Sequence, residues 1–168
     1  MSRVLVAGIG NVFAGDDGFG VEVVARLRER RLPDGVEPAD YGIRAFDLAC
    51  SLMDGYDAAI LVDAMPRGKR PGTVTVLEPE LDDGVDAQAV NGHAMDPVEV
   101  FRLVRRFGQS PPPTYIVGCE PAAPEAQSED AMALSPAVAG AVEEAAAVVE
   151  SLAVRLLDGA VHATPKER

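Results

Sequence analysis

Two apolar runs that each lead to a carboxylate constrain this chain more than any other feature of it. Val4-Leu5-Val6-Ala7-Gly8-Ile9-Gly10-Asn11 runs on to Asp16-Asp17-Gly18-Phe19-Gly20, and Ala59-Ile60-Leu61-Val62-Asp63-Ala64 comes later. Each run is bounded by turn residues and reads as a buried strand. In an α/β sheet, ligands gather in the loops beyond the carboxyl ends of strands. Acids delivered there are site candidates rather than solvated surface.

The rest of the pattern alternates helix and strand. A helix from Gly18 to about Arg31 is expected to turn Val21, Val24, Ala25 and Leu27 inward and its charged residues outward. A weak strand covers Val36 to Asp40, and a second helix carries Phe46, Leu48, Ala49, Leu52 and Met53. Ala58–Val62 and Thr73–Leu77 read as strands separated only by Asp63 to Gly72. A parallel pair needs a crossover of about a dozen residues or more, so these two strands are expected to pair antiparallel. Asp96, Pro97 and Glu99 supply an N-cap, a first-turn proline and a capping-box acid for a helix reaching Phe107. Thr114–Val117 is the last strand, and Ser135-Pro136 caps a long alanine-rich helix ending near Gly159. The expected fold class is α/β: a three-layer α/β/α sandwich around a twisted, mostly parallel mixed sheet of about five strands. One domain is expected over residues 1–159, with a flexible tail at 160–168.

Composition narrows the partners. A chain of 168 residues that is 48% hydrophobic can build a full core without a disulfide or a metal. A net charge of −12 argues against nucleic acid or an anionic membrane, both of which are bound through basic surface. Only two cysteines occur, and neither a signal-peptide pattern nor a membrane-length apolar run is present. A cytoplasmic protein is expected.

With parallel strands, Asp17, Asp40, Asp63, Cys119 and Glu120 all reach one edge of the sheet, and His93 lies three residues before a helix cap. Asp17, Asp63 and His93 make a mixed oxygen and nitrogen ligand set suited to a borderline divalent ion such as nickel or zinc. Each has a structural alternative. Asp17 can cap a helix, Asp63 can hydrogen-bond a turn, and His93 can be a surface loop histidine. Asp40 and Glu120 form a weaker, secondary pair, for which turn roles compete evenly.

Other chemistries fit less well. Position 13 is Phe where a dinucleotide fingerprint needs Gly, and two carboxylates stand where a pyrophosphate would sit. No phosphate-binding GxxxxGK[ST] loop and no GxSxG serine elbow occur. A Cys119–His93 nucleophile pair has no spacing signature behind it. A small-molecule metallohydrolase with its own ion and a non-catalytic nucleotide-binding module stay open as rival classes.

The residues that carry these readings also resemble a known family. Gly8-Ile9-Gly10-Asn11, Asp16-Asp17-Gly18-Phe19-Gly20, Leu61-Val62-Asp63-Ala64, His93, Arg70-Pro71-Gly72-Thr73-Val74, Val117-Gly118-Cys119-Glu120-Pro121 and Leu134-Ser135-Pro136 are together similar to the hydrogenase maturation endopeptidases. One departure is Tyr41-Gly42-Ile43 after Asp40, where the family often has glycine and threonine. The resemblance implies a peptidase that trims the C-terminal extension of a nickel–iron hydrogenase large-subunit precursor after nickel insertion. It implies nickel carried by the substrate and no tightly bound cofactor of the enzyme's own. It also places recognition and catalysis on Asp17, Asp63 and His93. The expected partner is the precursor, met by a monomer.

Overall fold

The computed structural model describes residues 1–79, 95–124, 127 and 132–159. Five strands form one sheet: β1 (Val4–Ile9), β2 (Val36–Gly42), β3 (Ala58–Ala64), β4 (Val74–Leu77) and β5 (Thr114–Cys119). Their spatial order is β2-β1-β3-β5-β4, with every neighbouring pair parallel except the antiparallel β4 and β5. The helices are α1 (Phe19–Arg28), α2 (Ala45–Leu52), α3 (Pro97–Arg106), α4 (Pro136–Ala139) and α5 (Val142–Leu157), and a 3-10 turn spans Gly15–Gly18. Among the described residues, no helix is long and apolar enough to cross a membrane.

The pleat divides the core in two. Val4, Val6, Ile60, Val62, Val117 and Cys119 face one layer, where Phe19, Val23, Val24 and Leu27 of α1 and Ala145, Val149 and Leu152 of α5 meet them. Leu5, Ala7, Ile9, Leu61 and Ile116 face the other, against Leu48 and Leu52 of α2 and Val100, Phe101 and Val104 of α3. This is the α/β/α arrangement. Because β1, β3 and β5 are buried along their whole length on both faces, they need the continuous apolar runs that marked them in the sequence.

Several details differ from the reading of the sequence. On α1 it is Val23 that is buried, while Ala25 is exposed and Val21 half-buried. The helix starts after the 3-10 turn, which shifts its inward stripe. It also ends at Arg28, short of Arg31. The long C-terminal helix is two pieces, α4 and α5, separated by Gly140 and Ala141. Most consequentially, β4 runs antiparallel to the sheet as expected but pairs with β5 and not with β3. The six buried residues of β5 claim the interior position, and the half-exposed β4 takes the edge. The β3–β4 connection therefore passes over the end of β5, with Met65 N–H donating to Cys119 O (2.8 Å) and Gly72 N–H to Glu120 O (2.9 Å).

Helix α1 sits unusually close to the strands. A Cβ on Gly20 would lie 2.0 Å from Val62 O and 2.4 Å from Ile9 O, and one on Gly8 would lie 2.6 Å from Gly20 O. The glycines of Gly8-Ile9-Gly10 and Gly18-Phe19-Gly20 are thus packing residues, which explains them without a dinucleotide. Overpacking of this kind costs about 1–3 kcal/mol, occasionally more. Gly20→Ala should fall at the upper end of that range, as a lowered urea midpoint with an unchanged slope.

Candidate functional site

The site grows from the end of β1. Gly10 has φ +133°, and a Cβ there would lie 1.7 Å from Asp17 O, so glycine is required where the chain folds back on itself. The next residue organises the loop. Asn11 Oδ1 accepts from Phe13 N (2.9 Å), Asn11 O accepts from Ala14 N (3.0 Å), and Asn11 N donates to Asp17 Oδ2 (2.8 Å). Asp17 is therefore not the helix cap that the sequence allowed. Gly18 occupies that position, and it makes no side-chain cap bond. Asp17 is half-buried and lines a cleft of about 520 Å³, together with Asn11, Gln127 and small apolar residues such as Ala14, Ala64, Pro66 and Pro121.

Asp63 is the sixth residue of β3 and lies in register with Gly118 of β5. Strand alternation puts it on the α2/α3 face of the sheet, and it is only 5% exposed. Burial drives its carboxyl well above the usual carboxylate range, and the nearby charge of Asp17 pushes in the same direction. A hydrogen bond from the Ala64 backbone opposes the rise, while Asp96 adds to it. Among the described residues no lysine or arginine forms an ion pair with Asp63. A buried carboxylate in that setting favours either a proton or an external cation.

Asp96 is the sequence-predicted N-cap of α3, accepting from Val98 N (2.9 Å). Glu99 pairs with Arg102 and does not close a capping box. What the sequence reading lacked was the influence of Asp96 on Asp63. Its cap position on a helix packed against the same sheet face was the available signal.

Asp16 stood in the sequence motif but was given no role of its own. It is fully buried and its carboxylate accepts from Ser135 N (2.6 Å), Ser135 Oγ (2.9 Å) and Ala122 N (2.9 Å). Ser135, expected as a side-chain cap for α4, uses its hydroxyl on Asp16 instead and makes no cap bond. Asp16 thereby ties the segment after β5 and the start of α4 to the 3-10 turn, and so shapes the cleft wall. Two adjacent acids on one turn cannot both face the same way, which was the signal for it.

The remaining candidates separate. Glu120 is 8% exposed, and its carboxylate accepts from Arg67 N (2.7 Å) and Gly68 N (3.2 Å), a turn-holding arrangement. Asp40 lies in register with Gly8 and lines an adjoining groove of about 280 Å³ with Val12, Phe13, Tyr41 and Ile43. Cys119 is buried in the α1/α5 layer, on the sheet face opposite Asp63. Burial first, and then the charges of Asp16 and Glu120, push its thiol up to about 12. It is a thiol rather than a thiolate at neutral pH, unsuited to nucleophilic attack. His93 and the tail lie outside the described residues. Among the described residues, no three His, Cys, Asp or Glu side chains converge to hold a metal. Asp17 and Asp63 are the pair that the fold brings together.

The raised Asp63 carboxyl has a signed consequence for stability. Its folded-state value lies above its unfolded value, so ionisation opposes folding, and that stability is lost as pH rises from the ordinary carboxylate range through the folded-state value. Asp63→Asn should raise the melting midpoint at pH 7–8, where the wild-type carboxyl's ionisation opposes folding. The gain should shrink as pH falls and vanish near pH 2, well below the ordinary carboxylate value, where both states of the wild-type carboxyl are protonated. Calorimetric scans at the two pH values check it.

A chain with this sheet order and strand-end acid pair has well-defined relatives. Residues 21–152 match the family model of the hydrogenase maturation protease HycI. The Hydrogenase 2 maturation protease of Escherichia coli is 30% identical over 167 residues, covering 98% of this chain and 97% of that protein. The hydrogenase expression/formation protein HupD of Rhodobacter capsulatus is 35% identical over 148 residues, 86% of this chain and 68% of that protein. The solved structure of the hydrogenase maturating endopeptidase HybD from E. coli superposes with a TM-score of 0.75 at 30% identity, over 94% of each chain. On the family match, the identity along nearly the whole chain and the shared fold, the chain belongs to the hydrogenase maturation proteases and is a peptidase of that family.

Proposed function

We propose that the protein removes the C-terminal extension of a nickel–iron hydrogenase large-subunit precursor, and does so after nickel has been inserted. The observation that carries this reading is Asp63, a buried carboxylate beside Asp17 with no cationic side chain among the described residues to balance it. Such a pair prefers a divalent ion, and oxygen ligands from two carboxylates leave coordination positions open. In this reading the ion arrives on the substrate. His93, outside the described residues, completes the protein's share of the shell. The nickel fixes the scissile peptide at the sheet edge and serves there as Lewis acid or water activator. The peptide C–N bond breaks by addition of water, and the extension leaves with the new amino terminus. The enzyme works as a cytoplasmic monomer and carries no tightly held metal of its own.

The buried Cys119 and the absence of a serine elbow support a mechanism without a protein nucleophile. Mass analysis of a nickel-loaded large-subunit precursor, before and after incubation with the protein, tests the reading. The extension should be lost from nickel-loaded precursor and retained by nickel-free precursor at any enzyme concentration. Cutting of the nickel-free form would refute substrate-borne metal.

Substitutions divide the roles. Asp63→Asn and Asp17→Asn should fold and yet lose about two or more orders of magnitude in processing rate, as expected when charge stabilisation at the reacting bond is removed. His93→Ala should behave alike. Cys119→Ser should keep most activity, and its inactivation without unfolding would restore a thiol mechanism. Calorimetry with nickel on the isolated protein should show weak binding that dialysis reverses. A tight site that survives chelator would point to a metallohydrolase with its own ion.

A further inference from the structure

The β3–β4 connection carries Arg67, Lys69 and Arg70, three cations in four positions of a chain whose net charge is −12. All three are exposed. Other arginines are engaged by acids: Arg3 by Glu37, Arg26 and Arg30 by Glu143, Arg44 by Asp47, and Arg102 by Glu99. Arg67, Lys69 and Arg70 form no ion pair among the described residues. Glu120, buried against the turn, spends its carboxylate on the backbone N–H groups of Arg67 and Gly68 and pairs with none of the three side chains, so the turn sets three cations against one carboxylate.

The turn is also built to hold its shape. Gly72 N–H donates to Glu120 O (2.9 Å), Glu120 N–H to Thr73 O (3.0 Å), and Thr73 N–H to Arg70 O (3.1 Å). Gly72, at φ +84°, packs so closely that a Cβ would lie 2.6 Å from Ala137 O. Pro66, the residue before Arg67, lines the same cleft as Asp17. The cleft therefore has an acid within it and a rigid cationic turn on its rim.

We propose that this turn is the docking point for the anionic end of the substrate's C-terminal extension. The inference rests on the peptidase reading. A segment released from the C-terminus necessarily ends in an α-carboxylate, and Asp17 shares its cleft with Pro66, the residue that leads into the cationic turn. Exposed charges of this kind act mainly on encounter and less on the chemical step.

The test measures association of nickel-loaded precursor, with and without its extension, with wild-type protein and the triple variant Arg67→Ala/Lys69→Ala/Arg70→Ala. The turn is held chiefly by backbone donors, and the one side-chain bond the variant removes, Lys69 Nζ to Thr75 Oγ1 (3.2 Å), is exposed, so the variant should keep close to the wild-type melting midpoint. With full-length precursor, wild type should associate about tenfold faster than the variant at low ionic strength. The gap should close near 0.5 M salt, where screening shortens the reach of charge to a few ångströms. With extension-free precursor the two proteins should associate equally. Equal rates on full-length precursor, or equal losses with and without the extension, would overturn the proposal. No detectable association of either protein would overturn it as well. A wild type that associates in this pattern but does not cleave would instead refute the peptidase reading and leave the docking result standing.

Discussion

Everything at the site depends on how closely α1 is seated. Where Gly20 meets Val62 O and Ile9 O there is no room for a side chain, so the helix start lies directly on the ends of β1 and β3. The 3-10 turn that precedes the helix is carried to the same place, and Asp17 with it. Asp63 is the residue after Val62. The electrostatic coupling of the two carboxylates thus follows from a steric constraint two elements away, the missing side chain of a glycine.

Asp16 and Asp63 show two ways of burying a carboxylate. Asp16 has three donors at hydrogen-bonding distance, which offset the loss of hydration and turn the charge into a fastening. Asp63 has one opposing backbone hydrogen bond and two like charges nearby, so its ionised form is held at a cost. A fold that tolerates this at a strand end gives up stability to keep there a carboxyl whose charge an external cation would stabilise. Glu120 resembles Asp16 in kind: buried, satisfied and structural.

Much of this was legible in the sequence because buried strands and strand-end acids leave a plain pattern. The apolar runs of β1 and β3, the antiparallel sense of β4 and the Asp96 cap could all be read directly. The neighbour of β4 could not, since loop length limits direction but not which strand fills the gap. That depended on the contrast between the fully buried β5 and the half-exposed Val74–Leu77. The inward face of α1 was misphased by a turn too short to show periodicity, exchanging Val23 for Ala25. Asp16, Ser135 and Glu120 were misread or left even because their partners come from distant segments, the Asp16 carboxylate for Ser135 and mostly backbone N–H groups for the two acids, and sequence patterns carry no trace of such contacts. His93 lies outside the described residues, so its place in the site rests on the sequence alone.

Asp16 and Glu120 share one further property. Their donors include main-chain amides: Ala122 and Ser135 for the first, Arg67 and Gly68 for the second. A main-chain amide is supplied by any residue except proline, whatever its side chain. The segments that wall the cleft are therefore anchored by a feature that mutation at most of their positions leaves intact. Such a frame lets the displayed side chains drift or be selected anew while the acid pair keeps its geometry, so that one peptidase scaffold can be refitted to differently charged substrates without being rebuilt.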